Sequence, residues 1–139
     1  MKGEWRTSWE VLLRSLREKP FLSVDFDGTI AQTVISRPSP AIIEGSIHPN
    51  AIDILREYMK CFHLVICSAR CAKPAVVGAV AAFLIENGLS AQELKQITIT
   101  NQKPPGLILD DWAVRFEGRF PSVEELKATR PWHGRGIVG

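Results

Sequence analysis

The sequence lacks the devices by which small proteins supplement a weak core. Its three cysteines, Cys61, Cys67 and Cys71, are an odd number with no C-x-x-C spacing, so reduced, buried thiols are expected rather than a disulfide framework. His48, His63 and His133 lie far apart with no i, i+4 pair, which excludes a zinc site built on histidine spacing. No apolar run reaches the roughly 18 residues of a membrane span, and MKGEWRTSWEVLLRSLREKP breaks its apolar positions with Arg and Glu. The expectation is a cytoplasmic chain that is neither exported nor membrane-spanning. Charge of one sign is also missing. Lys and Arg total 17 against 15 acidic residues, a net +2 with pI about 8.5, far from the dense basic surface of a dedicated nucleic-acid binder.

What is present suffices for one core. The 139 residues are 45% hydrophobic, with 10 Gly, 9 Pro and no internal repeat, so disorder, fibres and solenoids are excluded. A single domain is expected. Thr7 to Glu10 is a capping box, and Trp9, Leu12, Leu13 and Leu16 follow at helical spacing, predicting an N-terminal helix over residues 1–20 that stops at Pro20. FLSVDF (21–26) reads as a buried strand stopped by Asp27-Gly28, and Ala31–His48, with Pro38, Pro40 and Gly45, as a long loop or flap. Pro49 suits a helix start, with Ala51, Ile52, Leu55, Tyr58 and Met59 on one face through Lys60. FHLVICS (62–68) is a second strand. Pro74 opens and Gly88 closes an apolar helix, and Ser90 with Glu93 caps a short one. QITIT (96–100) and GLILD (106–110) are the third and fourth strands, and Ser122 to Glu125 caps a last helix. The core spans 21–118, and 119–139 is a C-terminal helix and tail.

Strands alternating with helices predict a three-layer α/β fold on a mostly parallel sheet without a cap domain, whose ligands bind outside the carboxyl ends of the strands. The polar residues fall there. Asp25 and Asp27 end strand one, Ser68 and Arg70 strand two, Lys103 follows strand three, and Asp110 and Asp111 end strand four. Crowded carboxylates repel one another, so four at one crevice call for a cation, and all-oxygen ligation favours Mg²⁺. Lys103 adds positive charge on a loop stiffened by Pro104-Pro105, Ser68 adds a hydroxyl, and the turn Asp27-Gly28-Thr29 offers backbone N–H groups to an anion. These converge on a phosphoryl site in which Asp25 attacks phosphorus and Asp27 moves protons. Arg70 is open between a contact to substrate phosphate or base and a surface ion pair. Trp112, beside the aspartate pair, is a candidate for the crevice rim.

The motifs also carry a family resemblance. VDFDGTI (24–30), VICSAR (65–70), Lys103-Pro104 and LILDD (107–111) resemble, in order and spacing, the four motifs of the haloacid dehalogenase-like phosphohydrolase superfamily, over about residues 21–118. The resemblance implies that Asp25 is nucleophile and Mg²⁺ ligand, and that Asp27 is general acid/base and gives a backbone carbonyl to the metal. It implies that Thr29 orients Asp27, and that Gly28, Thr29, Ser68, Ala69 and Arg70 line the phosphate side. Lys103 would steady the phosphoryl group, while Asp110 and Asp111 complete the metal shell. Neither usual insertion point has room for a cap. Capless relatives usually act on macromolecular or nucleic-acid phosphates or close the site by oligomerising. The expected activity is that of a Mg²⁺-dependent phosphomonoester phosphatase, its partner a phosphorylated small molecule or a nucleic-acid end, with a homo-oligomer as the other means of closure. The competing expectation is a phosphoaccepting regulatory or binding module without efficient turnover.

Overall fold

The computed structural model describes residues 19–32 and 39–130. The expected N-terminal helix falls almost wholly outside these residues, as do part of the flap and the C-terminal tail. Four strands, β1 (Phe21–Asp25), β2 (His63–Cys67), β3 (Ile97–Thr100) and β4 (Leu107–Leu109), form one parallel sheet in the order β3-β2-β1-β4. With α1 (Ala51–Cys61), α2 (Pro74–Glu86), α3 (Ala91–Leu94) and α4 (Val123–Ala128), this is the expected three-layer α/β fold, with no cap subdomain among the described residues. None of the described helices is long and apolar enough to cross a membrane.

Strand alternation sets the core. Leu22 and Val24 of β1 and Leu64 and Ile66 of β2 share one face, where they pack against Ala51, Leu55 and Met59 of α1 and Val80 and Leu84 of α2. Each helix buries residues at i, i+4 and i+8: Ala51, Leu55 and Met59 in one, Val76, Val80 and Leu84 in the other. Burying each of the larger of these side chains stabilises by roughly 1.5–3 kcal/mol. The opposite sheet face buries Phe21, Val65 and Cys67 as a smaller cluster. Pro74 is the first residue of α2, as expected, and the helix ends in a Schellman turn. Gly88 takes φ +116°, its N–H reaches the Ile85 carbonyl, and the N–H of buried Leu89 reaches Leu84. Pro49 stands one residue before the N-cap of α1, Asn50, outside the helix. The capping boxes at Ser90/Glu93 and Ser122/Glu125 both form.

Two departures matter for the site. The connection from β3 to β4, residues 101–106, carries the chain past two strands with no helix of its own, short for a parallel crossover. It fits because Gly106, at φ +148°, lies against β1, where an added Cβ would stand 2.4 Å from the Phe21 carbonyl oxygen. Second, all three residues of β4 are exposed, so this short edge strand owes its place to its ladder with β1. Expectation and structure also differ over one thiol: Cys67 and Cys71 are buried but Cys61, at the end of α1, is exposed.

Candidate active site

Register builds the acidic cluster. Leu22, Ser23 and Val24 of β1 pair with Leu107, Ile108 and Leu109 of β4, so the next residue of each chain, Asp25 and Asp110, emerges at the same end of the sheet. Asp111 joins them, and one carboxylate oxygen from each of the three lies within 4.8 Å of the others. Asp25 feels burial as well as crowding. Burial pushes its carboxyl up to about 8, and a side-chain hydrogen bond with Asp111 and the charges of Asp110, Asp111 and Asp27 push the same way. The Thr29 hydroxyl, expected to orient Asp27, stands 3.5 Å from Asp25 Oδ2, a long contact.

Positive charge approaches from the β3–β4 connection. Lys103 Nζ donates to Asp110 Oδ2 at 3.1 Å, and the charges of Asp110, Cys67 and Asp25 further favour its ammonium form. Asp110 Oδ1 accepts the Trp112 N–H at 2.9 Å, a local turn that fixes the carboxylate. The two buried thiols are unsuited to nucleophilic work: burial raises Cys67 against the opposing pull of Lys103, and pushes Cys71 up to about 11.

The second half of the rim is sealed. Asp27 accepts from Ser68 Oγ at 2.9 Å and from Arg70 Nε at 3.0 Å on one oxygen, and from the Arg70 terminal nitrogen on the other. The Arg70 side chain is 0% exposed and that of Asp27 13%, so this is a buried, bidentate pair and not a surface one. Its guanidinium stacks over the Phe26 ring at 5.7 Å and donates through its other terminal nitrogen to the carbonyls of Pro40 and Ile42. Ser68 Oγ in turn accepts the Arg70 backbone N–H at 3.2 Å. Ala69, between these two buried residues, is exposed. The N–H donors expected to await an anion in the 27–29 turn are spent inside it, Gly28 on the Ala31 carbonyl at 2.7 Å and Thr29 on Phe26 at 3.3 Å.

The flap returns to the sheet through a bridge between Ala31 and Ile47, with Gln32 N–H on Ser46 and His48 N–H on Ile30. Beside the carboxylates, between α1 and the β4 edge, lies a pocket of about 290 Å³ lined by Thr29, Ile30, His48, Asn50, Ile54, Leu55, Tyr58 and Leu109 among others. Its largely apolar wall was not anticipated from sequence, because the residues come from three separate elements. Asp25, Asp110, Asp111 and Lys103 are therefore brought together, and Asp27, Ser68 and Arg70 form an adjoining group. The chain matches no family model, and neither curated proteins nor solved structures give a match to it.

Proposed function

We propose that the chain is a Mg²⁺-dependent phosphomonoester phosphatase that works through an aspartyl-phosphate on Asp25. The observation that carries this reading is the meeting of three carboxylate oxygens within 4.8 Å at the ends of β1 and β4, with Lys103 on one of them. The donor set fits a hard divalent cation: it is all oxygen, it comes from few residues, and burial together with the neighbouring acids raises the Asp25 carboxyl. Asp25, Asp110 and Asp111 would hold the ion, with the Asp27 backbone carbonyl as the resemblance implies. When bound, Mg²⁺ neutralises charge on a phosphoryl group and orients it.

The chain's own residues carry the rest. Asp25 attacks phosphorus as its bond to the leaving oxygen breaks, and Asp27, which must enter this step as the carboxylic acid and not as the carboxylate paired with Arg70, hands that oxygen its proton. Asp27 then takes a proton from water, whose oxygen displaces Asp25 and releases inorganic phosphate, returning both carboxyls to their starting state. Lys103 stabilises charge on the transferring group, and Ser68, Ala69 and the Gly28-Thr29 turn frame it. The ordered motifs resembling the haloacid dehalogenase-like superfamily support the same roles. The absence of a cap among the described residues supports a nucleotide or a polynucleotide end as substrate, and the apolar pocket beside Thr29 and Leu109 suits a flat organic group better than a sugar. A screen of nucleotides, sugar phosphates and 3′- or 5′-phosphorylated oligonucleotides tests this: Mg²⁺-dependent phosphate release, strongest on a nucleotide or oligonucleotide and abolished by chelator, is expected. Full activity in excess chelator would refute the metal site, and release only from sugar phosphates would refute the substrate class.

A further inference from the structure

The pocket between α1 and the β4 edge meets the acidic cluster at three points. Val24 and Leu109, two of its lining residues, stand immediately before Asp25 and Asp110 in the chain, and Thr29, a third, has its hydroxyl 3.5 Å from Asp25 Oδ2. A group in the pocket therefore lies next to anything held at those carboxylates. The volume, about 290 Å³, is at the small end of the roughly 300–1,000 Å³ usual for ligand sites, so the pocket admits one ring system and no long chain. Ile54 and Leu55 of α1 and Leu109 of β4 supply apolar wall, whereas His48 and Asn50 bring polar groups to the same space.

Asn50 departs from the usual role of its position. An asparagine at an N-cap ordinarily accepts a hydrogen bond from the first turn of its helix, but Asn50, the N-cap of α1, makes no such bond and sits at φ −102°, ψ 4°. Its backbone N–H donates to His48 Nδ1 at 3.3 Å. The helix thus makes no call on the side-chain amide, which brings a donor and an acceptor side by side to the pocket. That pair matches the edge of a nucleobase, above all the neighbouring amino group and ring nitrogen of adenine. A plain hydrocarbon ring would satisfy the walls and not the amide, and a bare sugar would satisfy the amide and not the walls.

We propose that this pocket is the nucleobase subsite of the enzyme and that Asn50 is the residue that reads the base. The placing of the substrate phosphate at Asp25 rests on the phosphatase reading above, whereas the seating of the base does not.

Two measurements keep the subsite and that reading apart. With chelator present, so that nothing turns over, adenosine titrated into isotope-labelled protein should shift the Asn50 side-chain amide and the backbone amides of Thr29, Ile54 and Leu109 in nuclear magnetic resonance spectra. Ribose at the same concentration should shift none of them. Asn50→Ala, with no cap bond to lose, should melt with the wild type and bind adenosine about tenfold more weakly. Ile54→Trp, a change at a side chain that is 41% exposed, should fill the pocket and abolish the shifts. In turnover, the ratio of kcat/KM for adenosine 5′-monophosphate over ribose 5-phosphate should fall about tenfold in Asn50→Ala, through KM. Adenosine that shifts none of these amides, or that binds both variants as tightly as the wild type, would overturn the subsite. Intact adenosine shifts in a protein that releases phosphate from no substrate would refute the phosphatase reading and uphold the nucleobase site.

Discussion

The two halves of the rim are built on opposite principles. At Asp27, Ser68 and Arg70 every charged group is directly paired, with Arg70 wholly buried, seated on a core layer in which Val24, Phe26 and Ile66 are almost wholly excluded from solvent. At Asp25, Asp110 and Asp111 three acids face one another, with Lys103 paired to Asp110, and two of the three follow an exposed edge strand of three residues. The first half sets acid against base, and the second crowds acid on acid. On the proposed reading, proton transfer needs a carboxylate held in one orientation, which a packed, hydrogen-bonded site provides, and a metal and a phosphate would enter where acids crowd one another.

Breaking each half should therefore have unequal consequences. Arg70→Met strands the buried Asp27 carboxylate and should cost about 3–5 kcal/mol, whereas Lys103→Met, which removes a partly exposed partner, should cost less than about 1 kcal/mol. Denaturant unfolding of the two variants checks this, and equal losses would erase the distinction between the halves.

Metal binding should sharpen the contrast. The Asp25 carboxyl lies at about 8 in the fold against an ordinary 3.8, so its ionisation opposes folding. Metal-free stability from this group is full below about 4 and is lost as pH rises towards 8. Mg²⁺ at about 100 times its Kd should restore about 2.7 kcal/mol, with the larger gain at pH 8 than at pH 5 and none in a variant lacking Asp110 and Asp111. Thermal melts with chelator or Mg²⁺ across that range test the sign.

Gly106→Ala tests how the open half is attached. A Cβ at φ +148° and 2.4 Å from the Phe21 carbonyl oxygen should cost about 1–3 kcal/mol and raise the Mg²⁺ requirement by displacing Asp110 and Asp111, while leaving amide hydrogen exchange near Arg70 unchanged. The smallest effect lies away from both halves. Arg56 grips Glu93 at 2.6 Å, joining α1 to α3, and holds its carboxyl down at about 2. Its contribution is present above about 4.5 and lost as pH falls towards 2. Glu93→Gln should flatten the acid limb of the stability profile only slightly, since the pair is only partly buried.

Much of this was legible in the chain. Alternating and β-branched runs located all four strands to within a residue or two, and two capping boxes and Pro74 located three helix starts. The acids at strand ends announced the site because parallel topology leaves the carboxyl ends of strands free for ligands. What stayed hidden depends on where strands and side chains go in space. Nothing in GLILD says that it crosses to the far side of β1 as an edge strand. Arg70 looked equally suited to substrate or surface because a charged residue in a turn is ordinarily solvated. Its burial follows from Asp27, Phe26 and the flap arriving together, none of which is local to VICSAR. The turn N–H groups of Gly28 and Thr29 seemed available because sequence marks a tight turn without saying how the turn satisfies itself.

Acid-quenched phosphate labelling on the millisecond scale tests the central claim most directly, using an aryl phosphate labelled at phosphorus. With Mg²⁺ present the wild type should show transient label on Asp25 that decays at the rate of phosphate release. Asp27→Asn should accumulate it, because the second step needs a base, and Asp25→Asn or excess chelator should give none. Undiminished label in chelator or in Asp25→Asn would contradict the account. So would label that persists for minutes in the wild type and is indifferent to Asp27→Asn, which would mark a phosphoaccepting module instead of a phosphatase.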